Sequence, residues 1–171
     1  MRIILPFTEI KPGVVDAILA SKDDDDTLVQ VFVGGSDEAY WIVLRDEWAL
    51  CAANRVDLCV TEHDIVIAPK TLWRFRTCPN GFCTSPYFYL GTNYSGLGCA
   101  RFRWELLAQH PDVMDRVGEY NDTVHPAKHW CANDARLQGE LKRRKVVMHQ
   151  HELVTHLSTG APSHGCREFP G

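Results

Sequence analysis

With 171 residues, 45% hydrophobic and 23% charged, the chain has enough apolar material for one domain with a sizeable core, which excludes a disordered or fibrous protein. A formal net charge of −4 excludes a global field that would attract nucleic acid, and no apolar stretch approaches the roughly 20 residues of a membrane span. The apolar part of the opening Met-Arg-Ile-Ile-Leu-Pro is too short for a signal peptide, so a soluble, cytoplasmic protein with reduced cysteines is expected.

Arg2–Phe7 reads as a strand and Pro12–Ala20 as a helix, with proline in its first turn and Val14, Val15, Ile18 and Leu19 on one face. Lys22–Thr27 carries four consecutive aspartates and no apolar scaffold, which predicts a solvated loop. Leu28–Val33 is a second strand, closed by Gly34-Gly35-Ser36-Asp37, where Ser36 or Asp37 would cap the helix Glu38–Leu50. Leu58–Thr61 is a third strand. Strands alternating with helices at this spacing predict an α/β fold, a mostly parallel sheet flanked by helices, in a single domain over 1–171.

After Pro69 the pattern changes. Leu72–Arg76 is a short helix, Phe82–Leu90 an aromatic strand, and Gly91–Gly98 a flexible stretch entering the strand Cys99–Phe102. Trp104–His110 is a helix stopped by Pro111, and Ala132–Lys145 is another, with Asn133 or Asp134 near its start. Its cluster Lys142, Arg143, Arg144, Lys145 reads as a solvated helix end favoured by the macrodipole. Lys145–Leu157 holds a last strand, followed by the loop Ser158–Cys166.

The chemistry gathers at Glu62-His63-Asp64, where the third strand ends. Strand alternation places Glu62 and Asp64 on one face and His63 on the other, so two hard oxygen donors can hold Mg²⁺ or Mn²⁺ beside a ligand's phosphates. The alternative is a solvated strand end. Ligands of parallel sheets sit beyond the strands' carboxyl ends, where the Phe7-Thr8-Glu9 and Gly34-Gly35-Ser36-Asp37 turns would join the acidic motif. Gly96-Leu97-Gly98 would let backbone approach a ligand closely, or is a plain loop, and Tyr94 and Trp130 are stacking surfaces or core. Cys78-Pro79-Asn80-Gly81-Phe82-Cys83 has near zinc-knuckle spacing without a second Cys/His pair at the usual distance. His149 and His151 share a strand face and could form a zinc pair, but lack an obvious third ligand.

The order of elements, the acidic motif, Gly96-Leu97-Gly98-Cys99-Ala100-Arg101-Phe102, His129-Trp130-Cys131-Ala132-Asn133-Asp134 and the His-rich terminal loop together resemble a compact nucleotide-sugar glycosyltransferase of the GT-A fold. The resemblance covers most of the chain. It implies that Glu62 and Asp64, standing for the usual Asp-x-Asp, bind the divalent ion bridging the donor diphosphate, with His156 or His164 as a further ligand. Asp134 would be the general base of an inverting transfer, helix capping being its alternative role. Pro6, Phe7, Thr8, Gly34, Asp37, Gly96 and Gly98 would line the donor site. The implied cofactors are Mn²⁺ or Mg²⁺ and a nucleotide-sugar, a UDP-sugar first among them.

The implied partner is a hydroxyl acceptor, with no membrane. A hydroxylated base in DNA is one candidate, for a compact enzyme of phage or bacterial type, and the acidic net charge argues mildly against it. Two rival readings are a zinc-dependent hydrolase using His63, Asp64, His156 and His164, and a non-catalytic nucleotide- or sugar-binding module.

Overall fold

The uninterrupted apolar run at the start of the chain forms the spine of the sheet. Ile3, Ile4 and Leu5 are fully buried, as expected for a strand covered on both faces. In the computed structural model, which describes residues 1–89, 92–120, 127–129 and 132–157, this strand is β1 (Arg2–Phe7). It pairs in parallel with β2 (Thr27–Phe32) on one side and β3 (Leu58–Thr61) on the other. The crossovers carry α1 (Val14–Ser21) and α2 (Ala39–Asn54).

The second half supplies β4 (Ile65–Val66), α3 (Thr71–Thr77), β5 (Phe82–Thr84), β6 (Tyr87–Tyr89), β7 (Thr92–Tyr94) and β8 (Cys99–Phe102). It continues with α4 (Trp104–Gln109), α5 (Val113–Glu119), α6 (Asn133–Arg143), β9 (Met148–Gln150) and β10 (Thr155–His156). The main sheet has the order β2-β1-β3-β8-β5-β9, and of these six strands only β8 runs against the others. The α/β expectation of a mostly parallel sheet flanked by helices therefore holds.

Alternation along each strand sends side chains into two cores. Ile4, Leu58, Val60, Phe82 and Phe102 pack with Trp41, Leu44 and Trp48 of α2. Ile3, Leu5, Cys59 and Cys83 pack with Val14 and Ile18 of α1 and Leu72 and Phe75 of α3. The indoles also tie helices together: Trp41 Nε1 donates to the Met114 carbonyl at 2.8 Å, and Trp48 Nε1 to the His110 carbonyl at 3.1 Å. Each therefore buries a large apolar ring without orphaning its N–H.

Several expectations are corrected. Phe82–Leu90 is not one strand. After Thr84 the chain passes through Ser85 and Pro86, leaves the main sheet, and forms β6, which pairs with β7 inside the stretch expected to be flexible. Proline lacks the N–H that would continue a ladder. Neither Ser36 nor Asp37 caps α2, whose N-cap is Glu38 with no side-chain cap bond. Helix α5 lies where no element was expected. In the aspartate run, Asp26 is buried rather than solvated, pairing with the terminal amine at 3.0 Å and with Arg76. The five described cysteines are buried free thiols.

Candidate active site

The carboxyl ends of β1, β2 and β3 lie at one end of the sheet, and backbone bonds join their loops. Val33 N–H donates to the Phe7 carbonyl at 2.8 Å, and Lys11 N–H to the His63 carbonyl at 2.9 Å. β3 stops at Thr61, so alternation does not continue through the acidic motif. Instead the Glu62 carbonyl accepts from Ile65 N–H at 3.1 Å, and a turn carries Glu62 and Asp64. The Glu62 amide donates to the Gly98 carbonyl at 2.9 Å, which fixes the turn against the strand entering β8.

Each acidic group is held by a different element. Glu62 Oε1 accepts from the Tyr40 hydroxyl of α2 at 2.8 Å. Asp64, 8% exposed, has its Oδ2 3.3 Å from His156 Nε2. That imidazole is delivered by β10, which pairs antiparallel with β4 so that His156 lies opposite Ile65. Leu157 N–H donates to the Asp64 carbonyl at 2.8 Å, and the His156 ring stacks on Tyr87 at 5.0 Å. His156, one of the two C-terminal histidines expected as a metal ligand, thus lies against Asp64. His164 and Trp130 lie outside the described residues.

Asp134 does not cap its own helix. The N-cap of α6 is Ala132, with no side-chain cap bond, and Asp134 Oδ1 accepts from the Leu97 amide. This explains Gly96, where a Cβ would collide with the Asp134 carboxylate. At Gly98 a Cβ would come within 2.5 Å of the Tyr87 ring. The expectation that these glycines open a path for ligand is therefore revised: both are buried, and their missing side chains make room for Asp134 and Tyr87.

Crowding of carboxylates sets the electrostatics. Burial, then the negative charges of Asp134 and Asp64, push the Glu62 carboxyl up to about 8, against the opposing Tyr40 hydrogen bond. Burial raises Asp134 to about 6, moderated by the Leu97 amide. The Tyr40 and Tyr87 hydroxyls are pushed up as well, by burial first and then by these same carboxylates. Sequence reasoning missed both tyrosines. Tyr40 is buried on α2 beside Trp41 and Leu44, where helical spacing marks it as core, and only its hydroxyl reaches the site.

Of the residues expected to line a donor site, Pro6 and Phe7 pair in register with Val31 and Phe32 at the end of β1, and Thr8 begins the exposed loop beyond. Phe32 is 62% exposed and meets Phe7 edge-on at 5.8 Å, over Gly34. Asp37 lies 3.7 Å from His129, on the segment that leads towards α6. Tyr94, half of the stacking expectation, is 43% exposed and tilts against Tyr87 at 5.9 Å.

Glu62, Asp64 and His156 are chemically suited to a hard divalent ion, offering two carboxylates and one imidazole. They are not a preformed cage. Among the described residues, the one group of metal-type side chains whose donor atoms all converge is elsewhere, at Cys78, Cys83, His149 and His151. An ion at the acidic turn would complete its sphere from water and a ligand's phosphates, as Mg²⁺ commonly does.

No sequence family matches this chain, and no curated protein is similar to it. Among the described residues, no helix is long and apolar enough to cross a membrane. Solved structures are similar. A glycosyltransferase involved in the glycosylation of the major capsid of PBCV-1 superposes with a TM-score of 0.56 at 12% identity, covering 94% of each chain. A197 from STIV superposes with a TM-score of 0.54 at 9% identity, over 90% of this chain and 82% of that one. The chain therefore shares, over nearly its whole length, the fold of a glycosyltransferase.

Proposed function

We propose that the protein is a metal-dependent glycosyltransferase, moving a sugar from a nucleotide-diphosphate donor, a UDP-sugar first among them, to a hydroxyl. The observation that carries this reading is the meeting of Glu62, Asp64 and Asp134, with His156 alongside, beyond the carboxyl ends of parallel strands. Ligands of such sheets bind at that position, and the fold is one that a glycosyltransferase uses.

In this reading Glu62, Asp64 and His156 hold Mn²⁺ or Mg²⁺, which when bound neutralises charge on the departing diphosphate. Phe7 and the exposed Phe32 offer the donor an aromatic surface, with Pro6, Thr8, Gly34 and Asp37 around it. Gly96 and Gly98 form the buried wall that positions Asp134 and Tyr87. The acceptor oxygen bonds to the anomeric carbon as the bond to the diphosphate breaks, and Asp134 takes the acceptor's proton. Its raised carboxyl suits a base working near neutral pH. The transfer is inverting.

A calorimetric screen of UDP-, GDP-, TDP- and CDP-sugars with and without Mn²⁺ tests the reading. It should find one nucleotide whose binding needs the ion and whose sugar is slowly lost to water. Binding with no turnover would favour a non-catalytic module, and no binding of any donor would remove the proposal.

A further inference from the structure

A second metal-type cluster lies on the sheet face covered by α1 and α3. Helix α3 ends at Thr77, and Cys78 follows it in extended conformation as the C-cap. The chain turns through Pro79, Asn80 and Gly81 into β5, which carries Cys83. The buried Arg101 guanidinium holds this turn, donating to the Cys78 carbonyl at 2.7 Å and the Asn80 carbonyl at 2.8 Å. β5 pairs in parallel with β9, and the register sets Cys83 beside His149. His151 lies two residues on, and its N–H donates to the Thr84 carbonyl at 2.8 Å, prolonging the ladder. Strand periodicity therefore puts Cys83, His149 and His151 on one face, and the helix end brings Cys78 to them.

The two pairs that were each incomplete in the sequence complete one another. All four donor atoms lie within 4.8 Å of one another. Cys78 Sγ is 3.3 Å from His149 Nδ1, which is 3.4 Å from His151 Nε2. Zn–N and Zn–S bonds of about 2.0 and 2.3 Å at tetrahedral angles give edges of about 3.3 Å between nitrogens and about 3.8 Å between sulfurs. Two of the six separations already match such edges, and the rest, within 4.8 Å, reach them when the side chains close by about 1 Å onto an ion. The imidazoles stand at 90° to each other, Asn80 Nδ2 lies 3.4 Å from Cys78 Sγ as a donor to a thiolate, and His151 rests on Phe75 at 5.5 Å.

We propose that Cys78, Cys83, His149 and His151 bind one structural Zn²⁺. Binding releases the two thiol protons, and the two thiolates balance the ion's charge, so the partly buried site is neutral. Four protein ligands leave no position for water, which makes the ion a staple and not a catalyst. It fastens the end of α3 and β5 to the edge strand β9. The segment after β9 is the one that carries His156 to Asp64, so the staple also anchors the approach to the acidic turn.

The test is metal analysis of the full chain, purified without chelator from zinc-supplemented culture. The expected result is one zinc per chain. After replacement by Co²⁺, the visible spectrum should carry intense tetrahedral bands together with a thiolate charge-transfer band. His149 is exposed, so His149→Ala should fold and yet lower zinc affinity at least about tenfold, while Cys83→Ser should remove the charge-transfer intensity of one thiolate. Asp64→Asn should keep its zinc, which separates this site from the acidic turn and from the reading of that turn as a glycosyltransferase centre. A zinc-free wild type, a Cys78–Cys83 disulfide in the purified protein, full zinc affinity in His149→Ala, or zinc lost on Asp64→Asn would each overturn the proposal.

Discussion

The acidic turn after β3 and the thiol–imidazole cluster between β5 and β9 are both assembled by strand register, yet they are prepared for ions in opposite ways. Cys78, Cys83, His149 and His151 already converge, with all four donor atoms within 4.8 Å of one another. Glu62, Asp64 and Asp134 are each engaged by a different donor, Tyr40, His156 and the Leu97 amide, and burial, then the charges of Asp134 and Asp64, raise the Glu62 carboxyl. A closed set of soft and borderline donors suits an ion that stays with the fold. An open set of hard donors suits one that arrives with its ligand.

The largest effect that would break this contrast is on stability. A ligand present at about a thousand times its dissociation constant stabilises by about 4 kcal/mol, and about 2–4 °C follows each kcal/mol in a chain of this size. Stripping zinc from the thiol–imidazole cluster should therefore lower the melting temperature by on the order of 10 °C, measured by calorimetry with and without a strong chelator. Removing Mn²⁺ from protein without donor should change it far less. Equal shifts would mean that the two sites are not differently prepared.

The next effect is on turnover. Asp134→Asn keeps an oxygen to accept the Leu97 amide but cannot take a proton, so kcat should fall by on the order of 10²-fold with donor affinity kept. If donor binding is lost as well, Asp134 is chiefly a brace for Gly96 and Leu97. That brace can be probed alone. Gly96→Ala forces a methyl group into the Asp134 carboxylate and should cost about 1–3 kcal/mol, whereas Gly35→Ala, with nothing within 4 Å, should be near neutral in the same melt.

The most gradual effect, spread over several pH units, is the pH dependence of the ion-free protein. Glu62 holds its proton up to about 8 in the folded chain, against an ordinary value near 4.5, so between these limits the folded state binds more protons than the unfolded one. Stability from this group is present below the lower limit and is lost as pH rises towards the upper. Melting temperature should decline across that window, Glu62→Gln should flatten the decline, and Mn²⁺ with UDP should restore more at the alkaline end.

The sequence made the centre of the sheet legible because β1 and β3 are short, buried apolar runs, and the acidic motif legible because it follows one of them. Register was not legible. Nothing in the chain shows that β5 pairs with β9, so the Cys78/Cys83 and His149/His151 pairs read as two incomplete sites. The Gly91–Gly98 stretch read as flexible because glycine, asparagine and serine hide the short strand β7, whose Tyr94 pairs with Tyr87 of β6. Asp26 read as solvent-facing because its partners, Arg76 and the terminal amine, come from elsewhere in the chain. Tyr40 and Tyr87 drew no expectation, because both are buried; what escapes periodicity is the Tyr40 hydroxyl that meets Glu62 and the Tyr87 ring face that meets His156.

The proposed use of the acidic turn is tested most directly by counting Mn²⁺ with electron paramagnetic resonance, titrating the zinc-loaded protein in the presence of UDP. The wild type should remove one Mn²⁺ per chain from the free signal. Asp64→Asn should remove none while its zinc content and melting temperature stay near those of the parent. Uptake of Mn²⁺ by Asp64→Asn equal to that of the wild type would contradict the account.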